Sequence, residues 1–240
     1  MSLVGSGVFV QLRLESRPVG EVLIVQCHGR IVAGNEVFTL HSFVGDSIAK
    51  YGDIVLQLEH VDFVDSSGLG ALVRLMQSAR AKSGDIKLTG LPPKIRKTLE
   101  MTQLISQFEV YDSVEEAITA AYLGSRYSRG KEGDTRSRIL CVYESNDVCT
   151  FLREILRGAG YNALTTMSVD DARILLKATK TKMVVLSSRM QSVHGKSTRK
   201  SFEEIDPSVA VVILEENFAS QDPGEAAEKL LHCLCPPNQN

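Results

Sequence analysis

Residues 54–72, IVLQLEHVDFVDSSGLGAL, decide the fold of the first half of the chain. The run Ile54 to Leu58 is almost entirely apolar, which is typical of a strand covered on both faces. The polar stretch Asp65 to Gly68 follows, and a helical spacing of apolar residues then continues from Ser66 to Ala81. Short oxygen-bearing side chains accept hydrogen bonds from the unpaired amides of a first helical turn. The stretch therefore predicts a strand that leads directly into a helix N-terminus.

The segments around this stretch alternate between strand and helix patterns. The other predicted strands are Val8 to Leu14, Val22 to Cys27 and Ile86 to Leu88, with a turn at Arg17 to Gly20. The other predicted helices are Asn35 to Ala49, Pro92 to Leu99 and Val114 to Ala121. This alternation favours an α/β sheet with helices packed on it.

The second half of the chain repeats this alternation more regularly. The predicted strands are Arg138 to Tyr143, Asn162 to Thr165, Met183 to Leu186 and Val209 to Leu214. The predicted helices are Asp147 to Ala159, Val169 to Ala178 and Gly224 to Cys233, with a loop and a weak helix over Gln191 to Ile205. The pattern predicts a doubly wound parallel sheet, whose sites lie at the carboxyl ends of its strands.

A polar seam separates the two halves. Residues 124–137, GSRYSRGKEGDTRS, contain no aliphatic side chain and are rich in Gly, Ser and Arg. Such a segment cannot offset its ordering entropy by burial, so it is typical of a linker. We therefore predict a domain over residues 8–122, a linker over residues 123–137 and a second domain over residues 138–240.

Composition and charge exclude several classes of function. The chain has 27 basic and 29 acidic side chains, a net charge of −2 that gives no long-range attraction to nucleic acid or anionic lipid. No run approaches the roughly 18 apolar residues that span a bilayer, and the first seven residues do not resemble a signal peptide. The five scattered cysteines indicate a reducing cytoplasm, without a disulfide framework or a structural metal. We expect no nucleic acid, membrane or metal partner.

The nineteen-residue string resembles the signature of the STAS domain, the family of bacterial anti-sigma factor antagonists and their stressosome relatives. The resemblance extends from about Leu12 to Ala121. It includes the segments Val22 to Ile31, Ser83 to Pro92 and Phe108 to Ser113. It implies a STAS-type mixed β-sheet with helices on it, and a cytoplasmic signalling protein that acts by docking and is not an enzyme.

The same resemblance implies that Ser66 is a phosphate acceptor. In the family, the serine after the aspartate is modified by a GHKL-type serine kinase that is also the anti-sigma factor, and a PP2C-type phosphatase is a further expected partner. An exposed helix N-terminus can hold the added phosphate through its free amides. The residues implied to bind the partner are Asp65, Ser66, Ser67, Gly68 and Leu69. The alternative interpretation, that these residues only cap the helix, stays open.

Arg138 to about Leu214 resembles a response-regulator receiver domain in pattern but not in chemistry. Active receivers have acidic residues after the first strand and an aspartate acceptor after the third. The corresponding positions here are Tyr143 and Glu144 after the first strand and Ser187 after the third. Glu215 stands after the fourth strand. Magnesium needs clustered hard oxygen ligands, so we predict a degenerate pocket without metal or cofactor. The implied role of this pseudo-receiver is contact, either dimerisation or partner choice.

Other enzyme classes lack their motifs in this sequence. There is no G-x-x-x-x-G-K-[ST], H-E-x-x-H or G-x-S-x-G pattern, and the five histidines show no i, i+4 pair. Two functions remain: an antagonist that binds an anti-sigma factor and so frees a sigma factor, and a non-catalytic scaffold or sensor of a stressosome-like assembly. A homodimer is compatible with either.

Overall fold

The structure is a computed structural model, and it describes residues 11–123, 137–193 and 195–234. Contacts divide this part of the chain into two compact units, residues 11–17 with 22–117, and residues 18–21 with 118–234. The predicted linker lies almost entirely outside the described residues. The predicted domain bounds therefore stay a prediction.

The first unit is built on a mixed sheet with strands in the order β1 to β5. The strands are β1 Arg13–Val19, β2 Val22–Ile31, β3 Asp53–Val64, β4 Ile86–Thr89 and β5 Glu109–Tyr111. Strands β2 to β5 run parallel to one another. Strand β1 is joined to β2 by the two-residue turn Gly20–Glu21 and therefore runs antiparallel to it. The helices of this unit are α1 Asn35–Tyr51, α2 Ser66–Ala81 and α3 Pro93–Met101. Helix α4 Val114–Leu123 follows β5 and belongs to the second unit from residue 118 onward. This is the mixed α/β fold that the sequence predicts.

The core of this unit lies between one face of the sheet and helices α1 to α3. Helix α1 buries Leu40, Val44 and Ile48 at intervals of four residues, because its apolar side chains recur on one face. Burying a side chain of this size stabilises the fold by about 1.5–3 kcal/mol. The apolar contacts fix the start of α2 against the end of β3.

Three local predictions were wrong. The first strand is Arg13–Val19 and not Val8 to Leu14, of which residues 8–10 lie outside the described part. The first turn lies at Gly20–Glu21 and not at Arg17 to Gly20, because Gly20 adopts a left-handed conformation with φ of 62° that an L side chain rarely adopts. Strand β3 does not stop at Leu58 but continues to Val64. Its second half alternates irregularly between buried and exposed residues, because the register with β2 shifts twice there.

The second unit contains a four-stranded parallel sheet in the order β11, β8, β6, β7. Its strands are β6 Arg138–Val142, β7 Asn162–Thr166, β8 Met183–Ser187 and β11 Ala210–Leu214. Its helices are α5 Asn146–Gly158, α6 Val169–Thr179, α7 Thr198–Glu203 and α8 Pro223–Leu234. A small ribbon of β9 Ser192–Val193 and β10 Lys196–Ser197 precedes α7. The relation of this unit to receiver domains stays a prediction.

The cysteines of the described residues differ in exposure. Cys27, Cys141 and Cys149 are buried free thiols, and burial raises the pKa of Cys27 to about 12 and that of Cys149 to about 11. Cys233 is exposed, and Cys235 lies outside the described part. Among the described helices, none is long and apolar enough to cross a membrane.

Candidate functional site

The candidate site lies where β3 passes into α2. Asp65 is the N-cap residue, and its backbone is extended with φ −90° and ψ −179°. One carboxylate oxygen, Oδ1, accepts a hydrogen bond from the Gly68 amide at 2.7 Å. The other, Oδ2, accepts one from the Ala33 amide at 2.9 Å. The aspartate therefore joins the start of α2 to the turn before α1.

A second hydrogen bond fixes the same junction. The Asp65 amide donates to the Ile31 carbonyl oxygen at 3.2 Å, which extends the pairing of β2 with β3 past the last strand residue. The amides of Ala33 and Gly68 hold the pKa of the Asp65 carboxyl below its ordinary value, since they stabilise the ionised form. The capping group is thus a carboxylate at neutral pH, in a position set by two neighbouring elements.

The predicted partner-binding residues separate into an exposed group and a buried group. Ser66 and Ser67 are exposed and Asp65 is half-buried. Gly68 and Leu69 are buried instead, so their predicted contact with a partner does not agree with the structure. Leu69 faces the core, and a Cβ atom at Gly68 would lie 2.2 Å from the Ile31 carbonyl oxygen. These two residues position the serines and do not present a surface.

Sequence reasoning missed two exposed aromatic side chains on the elements that meet at this junction. Phe63 stands three residues before Ser66 with 47% of its surface exposed, and Phe38 in the first turn of α1 is 70% exposed. The Arg30 guanidinium lies 5.0 Å from the centre of the Phe63 ring. For Phe63, the available signal was a phenylalanine among polar residues at the end of a strand. Nothing in the sequence showed that α1, which carries Phe38, lies beside α2.

The predicted receiver-like residues lie where the parallel strands of the second sheet end. Tyr143 and Glu144 follow β6, Ser187 ends β8, and Glu215 follows β11, so all four stand at the carboxyl ends of parallel strands. Tyr143 and Ser187 are buried, whereas Glu144 and Glu215 are exposed. The topology thus brings together the residues that the pattern predicts.

The chemistry of this edge differs from that of a metal pocket. The Arg189 guanidinium lies 3.9 Å from a Glu144 carboxylate oxygen, and the Arg189 amide donates to the Ser187 hydroxyl at 3.3 Å. The Tyr143 ring packs on Phe218 at 6.5 Å between centres. Across the described ranges, no group of three or more His, Cys, Asp or Glu side chains is placed to hold a metal ion. A side-chain cation takes the position beside the carboxylate.

Comparison with known proteins identifies the class of the first half. Residues 5–117 match the model of the STAS domain family. The N-terminal half of the chain therefore carries a STAS domain, which confirms the predicted resemblance over that half. The match does not reach the second sheet.

Individual relatives are anti-sigma factor antagonists. The chain is 32% identical over 66 residues to the anti-sigma F factor antagonist of Paenibacillus polymyxa, an alignment that covers 28% of this chain and 56% of the relative. The chain thus spans just over half the length of this curated relative. A solved antagonist from Mycobacterium paratuberculosis is 22% identical, with a TM-score of 0.42 over 46% of this chain and 94% of that one. The antagonist SpoIIAA in its unphosphorylated form is also 22% identical, with a TM-score of 0.38 over 48% of this chain and 99% of that one.

Proposed function

We propose that the chain is an anti-sigma factor antagonist-like regulator, which binds an anti-sigma factor that is also a GHKL-type serine kinase and is switched by phosphorylation of Ser66. The observation that carries the proposal is the exposed Ser66 hydroxyl in the first turn of α2, directly after the capping Asp65. The name of the Paenibacillus relative supports the class of partner. The protein itself acts by docking in the cytoplasm and performs no catalysis.

The site suits a switch of charge without a change of shape. Asp65 already holds the amides of Ala33 and Gly68, so the junction is fixed before any modification. A phosphate on Ser66 adds about −1.5 to −2 charges at that fixed position. The positive end of the α2 dipole and its free amides tolerate this charge. A partner packed closely against the serine hydroxyl would instead have to make room for the phosphate and desolvate its charge, so we expect it to dissociate.

The surface around Ser66 also supplies apolar contact. Aromatic and arginine side chains carry a large share of binding energy at protein interfaces. Phe63 is exposed three residues before Ser66, with Arg30 over its ring. Phe38 is exposed in the first turn of α1, the helix that follows the turn bonded to Asp65 through Ala33. We expect the kinase to contact this surface in the unphosphorylated state. A PP2C-type phosphatase would restore that state after phosphorylation.

The phosphorylation step is tested with a purified anti-sigma serine kinase of the GHKL type. Wild type incubated with the kinase and ATP should gain one phosphate by intact mass, located to Ser66 by peptide mapping. Ser66→Ala should gain none. Ser67→Ala is the matched control, because it removes the neighbouring exposed hydroxyl and should be phosphorylated as wild type is. A phosphate on Ser67, or on no residue, would reject Ser66 as the acceptor.

The docking step is tested separately by binding to the same kinase. Ser66→Asp should weaken the complex by roughly 2 kcal/mol or more, since it places an unpaired charge inside the interface. Ser78→Asp adds the same charge at an exposed position farther along α2 and should leave the affinity unchanged. Calorimetry gives both values. Equal affinities for the two variants would contradict docking at the helix N-terminus.

A further inference from the structure

Charge is segregated along the second half of the chain. Residues 173–200 contain eight basic residues and no acidic one, whereas residues 203–228 contain eight acidic residues and no basic one. The two segments cancel each other in the net charge, so the separation is not visible in the composition. In the second unit, each segment contributes a surface of its own.

The basic surface lies on helices α6 and α7 and on the ribbon before α7, and α6 packs against α7. Two cations of this segment are paired within the unit, since Lys182 bonds Asp206 at 2.6 Å and Arg199 bonds Glu203 at 2.9 Å. Other exposed cations of the segment have no carboxylate partner among the described residues: Arg173, Lys180, Lys196 and Lys200. These side chains are available to carboxylates of another molecule.

The acidic surface lies on helix α8 and on the loop between β11 and α8. Its exposed carboxylates have no cationic partner in the described part of the chain, and they are Glu215, Glu216, Asp222, Glu225 and Glu228. The Glu215 carboxylate accepts a hydrogen bond from the neutral Gln221 amide at 3.2 Å. The nearby Lys229 ammonium donates to the Gln221 side-chain oxygen at 3.3 Å and so leaves these carboxylates without a counter-charge.

The two surfaces lie on opposite faces of the second sheet. Ile139 and Cys141 of β6 point into the core that α5 and α8 cover. Leu140 and Val142 point the other way, because side chains alternate between the faces of a sheet. They are buried outside that core, on the face where α6 packs on β6. One copy of the unit therefore cannot bring its own basic surface to its own acidic surface.

We propose that the basic surface of one copy of this chain binds the acidic surface of a second copy, so that copies associate head to tail through their second units. A second copy is the occupant because the chain itself carries the complementary surface, and arranging opposite charges across an interface favours the correct partner and register. The two surfaces differ and lie on opposite faces, so each added copy leaves one of each kind free. The contact therefore produces an open chain or a ring, and not a closed two-fold dimer.

The side chains of the basic surface favour carboxylates over a bilayer or a single-stranded nucleic acid. Helices that lie on a membrane insert large apolar side chains, and single strands stack their bases on aromatic ones. The exposed large apolar side chains of the described residues all lie outside residues 173–200. The surface belongs to the second unit, so the proposal is independent of the Ser66 switch and of its partner.

The association is tested on the full chain by sedimentation over a concentration series, in reducing buffer and after nuclease treatment. Wild type should form species larger than a dimer in about 0.1 M salt and dissociate in about 1 M salt, because the Debye length shortens from about 10 Å to about 3 Å. Lys196→Glu with Lys200→Glu should raise the dissociation constant roughly tenfold or more, since like charges facing each other across an interface are unfavourable. Lys94→Glu with Lys97→Glu makes the same charge change on exposed lysines of α3, and it should associate as wild type does. A wild type that stays monomeric, or that stops at a dimer, would overturn the proposal.

Mixing two charge-reversed variants tests the complementarity directly. Glu225→Lys with Glu228→Lys reverses the acidic surface and should weaken association in the same way. An equal mixture of this variant with Lys196→Glu/Lys200→Glu should associate again, because the first keeps an intact basic surface and the second an intact acidic one. A mixture that stays monomeric would exclude the head-to-tail contact. If monomeric wild type instead bound a DNA duplex of about 20 base pairs through Lys196 and Lys200, the basic surface would be a nucleic-acid site and the proposal would be wrong.

Discussion

Gly68 shows how one residue determines the geometry at the start of α2. An added Cβ atom would lie 2.2 Å from the Ile31 carbonyl oxygen and 2.9 Å from a Val64 methyl carbon. The first is a backbone atom, which cannot move without disturbing β2. The absence of a side chain therefore allows α2 to begin close against the ends of β2 and β3, with Ser66 outward.

Gly68→Ala should lower the free energy of unfolding by about 1–3 kcal/mol, the usual cost of overpacking a filled site. Gly70→Ala is the matched control on the same helix. Its Cβ atom would first meet the flexible end of Arg74, at 3.3 Å. Replacing a helical glycine there should stabilise the protein by about 0.5–1 kcal/mol. Urea unfolding followed by circular dichroism measures both, and equal effects would show that the close approach at Gly68 is unimportant.

Asp65 links the same junction to pH. Its pKa in the folded state is lowered, chiefly by the Ala33 amide and then by the Gly68 amide. A carboxyl of this kind contributes stability that is fully present above its unfolded pKa of about 3.9, and the contribution is lost as pH falls through the folded value.

Asp65→Ala should therefore lower the free energy of unfolding by about 1 kcal/mol at neutral pH, as loss of an N-cap does. The difference from wild type should shrink as the pH is lowered below about 4. Asp62→Ala, which removes an exposed carboxylate of β3, should change stability little at either pH. Thermal unfolding across this pH range provides the measurement. A difference that stays constant down to acid pH would rule out a role for the Asp65 charge.

At the scale of elements, the short strand β5 is held by a polar cluster. The Lys87 ammonium on β4 bonds the Glu109 carboxylate on β5, and the Tyr111 hydroxyl donates to the same oxygen at 2.9 Å. Burial alone would raise the pKa of Glu109, but these two hydrogen bonds hold it below its ordinary value. Lys87 is 5% exposed, so the Glu109 carboxylate is the partner of a buried side chain.

Glu109→Gln should lower the free energy of unfolding by about 1–3 kcal/mol, because it leaves a buried ammonium with a weaker acceptor. Lys87→Met should cost less, since it removes the buried charge and keeps the apolar stem. Hydrogen exchange of the β5 amides, compared between the variants, would locate the effect. If Lys87→Met lowered the free energy of unfolding more than Glu109→Gln does, the ion pair itself would contribute net stability, contrary to this expectation.

Helices α1 and α2 were predicted within two residues of their bounds, because their apolar residues recur at helical spacing. The end of β3 and the turn after β1 were not predicted correctly. Residues 59–63 belong to a strand whose register shifts against β2, and no local pattern encodes a bulge in a neighbouring strand. Likewise, the sequence predicts Asp65 as a cap but not its bond to Ala33, which lies 32 residues away.

At the scale of the whole molecule, the two halves carry different chemistry on related α/β architectures. The first unit presents an exposed hydroxyl at a helix N-terminus. The second unit brings Glu144 and Ser187 to the carboxyl ends of its strands and places Arg189 beside them. The sequence pattern predicts that Glu144 and Ser187 lie at the same end of the sheet, because parallel strands all end on that side. The position of the Arg189 guanidinium depends on how the loop after β8 folds.

This arrangement leads to a prediction for magnesium. A bound ion at ten times its dissociation constant would stabilise the fold by about 1.4 kcal/mol. We expect millimolar Mg²⁺ to leave the unfolding temperature of wild type unchanged relative to NaCl of equal ionic strength, because Arg189 holds the cation position beside Glu144. Ser187→Asp supplies a second carboxylate at the same edge and should respond more to Mg²⁺ than wild type does. Specific stabilisation of wild type by Mg²⁺ would show that the second unit retains a metal pocket.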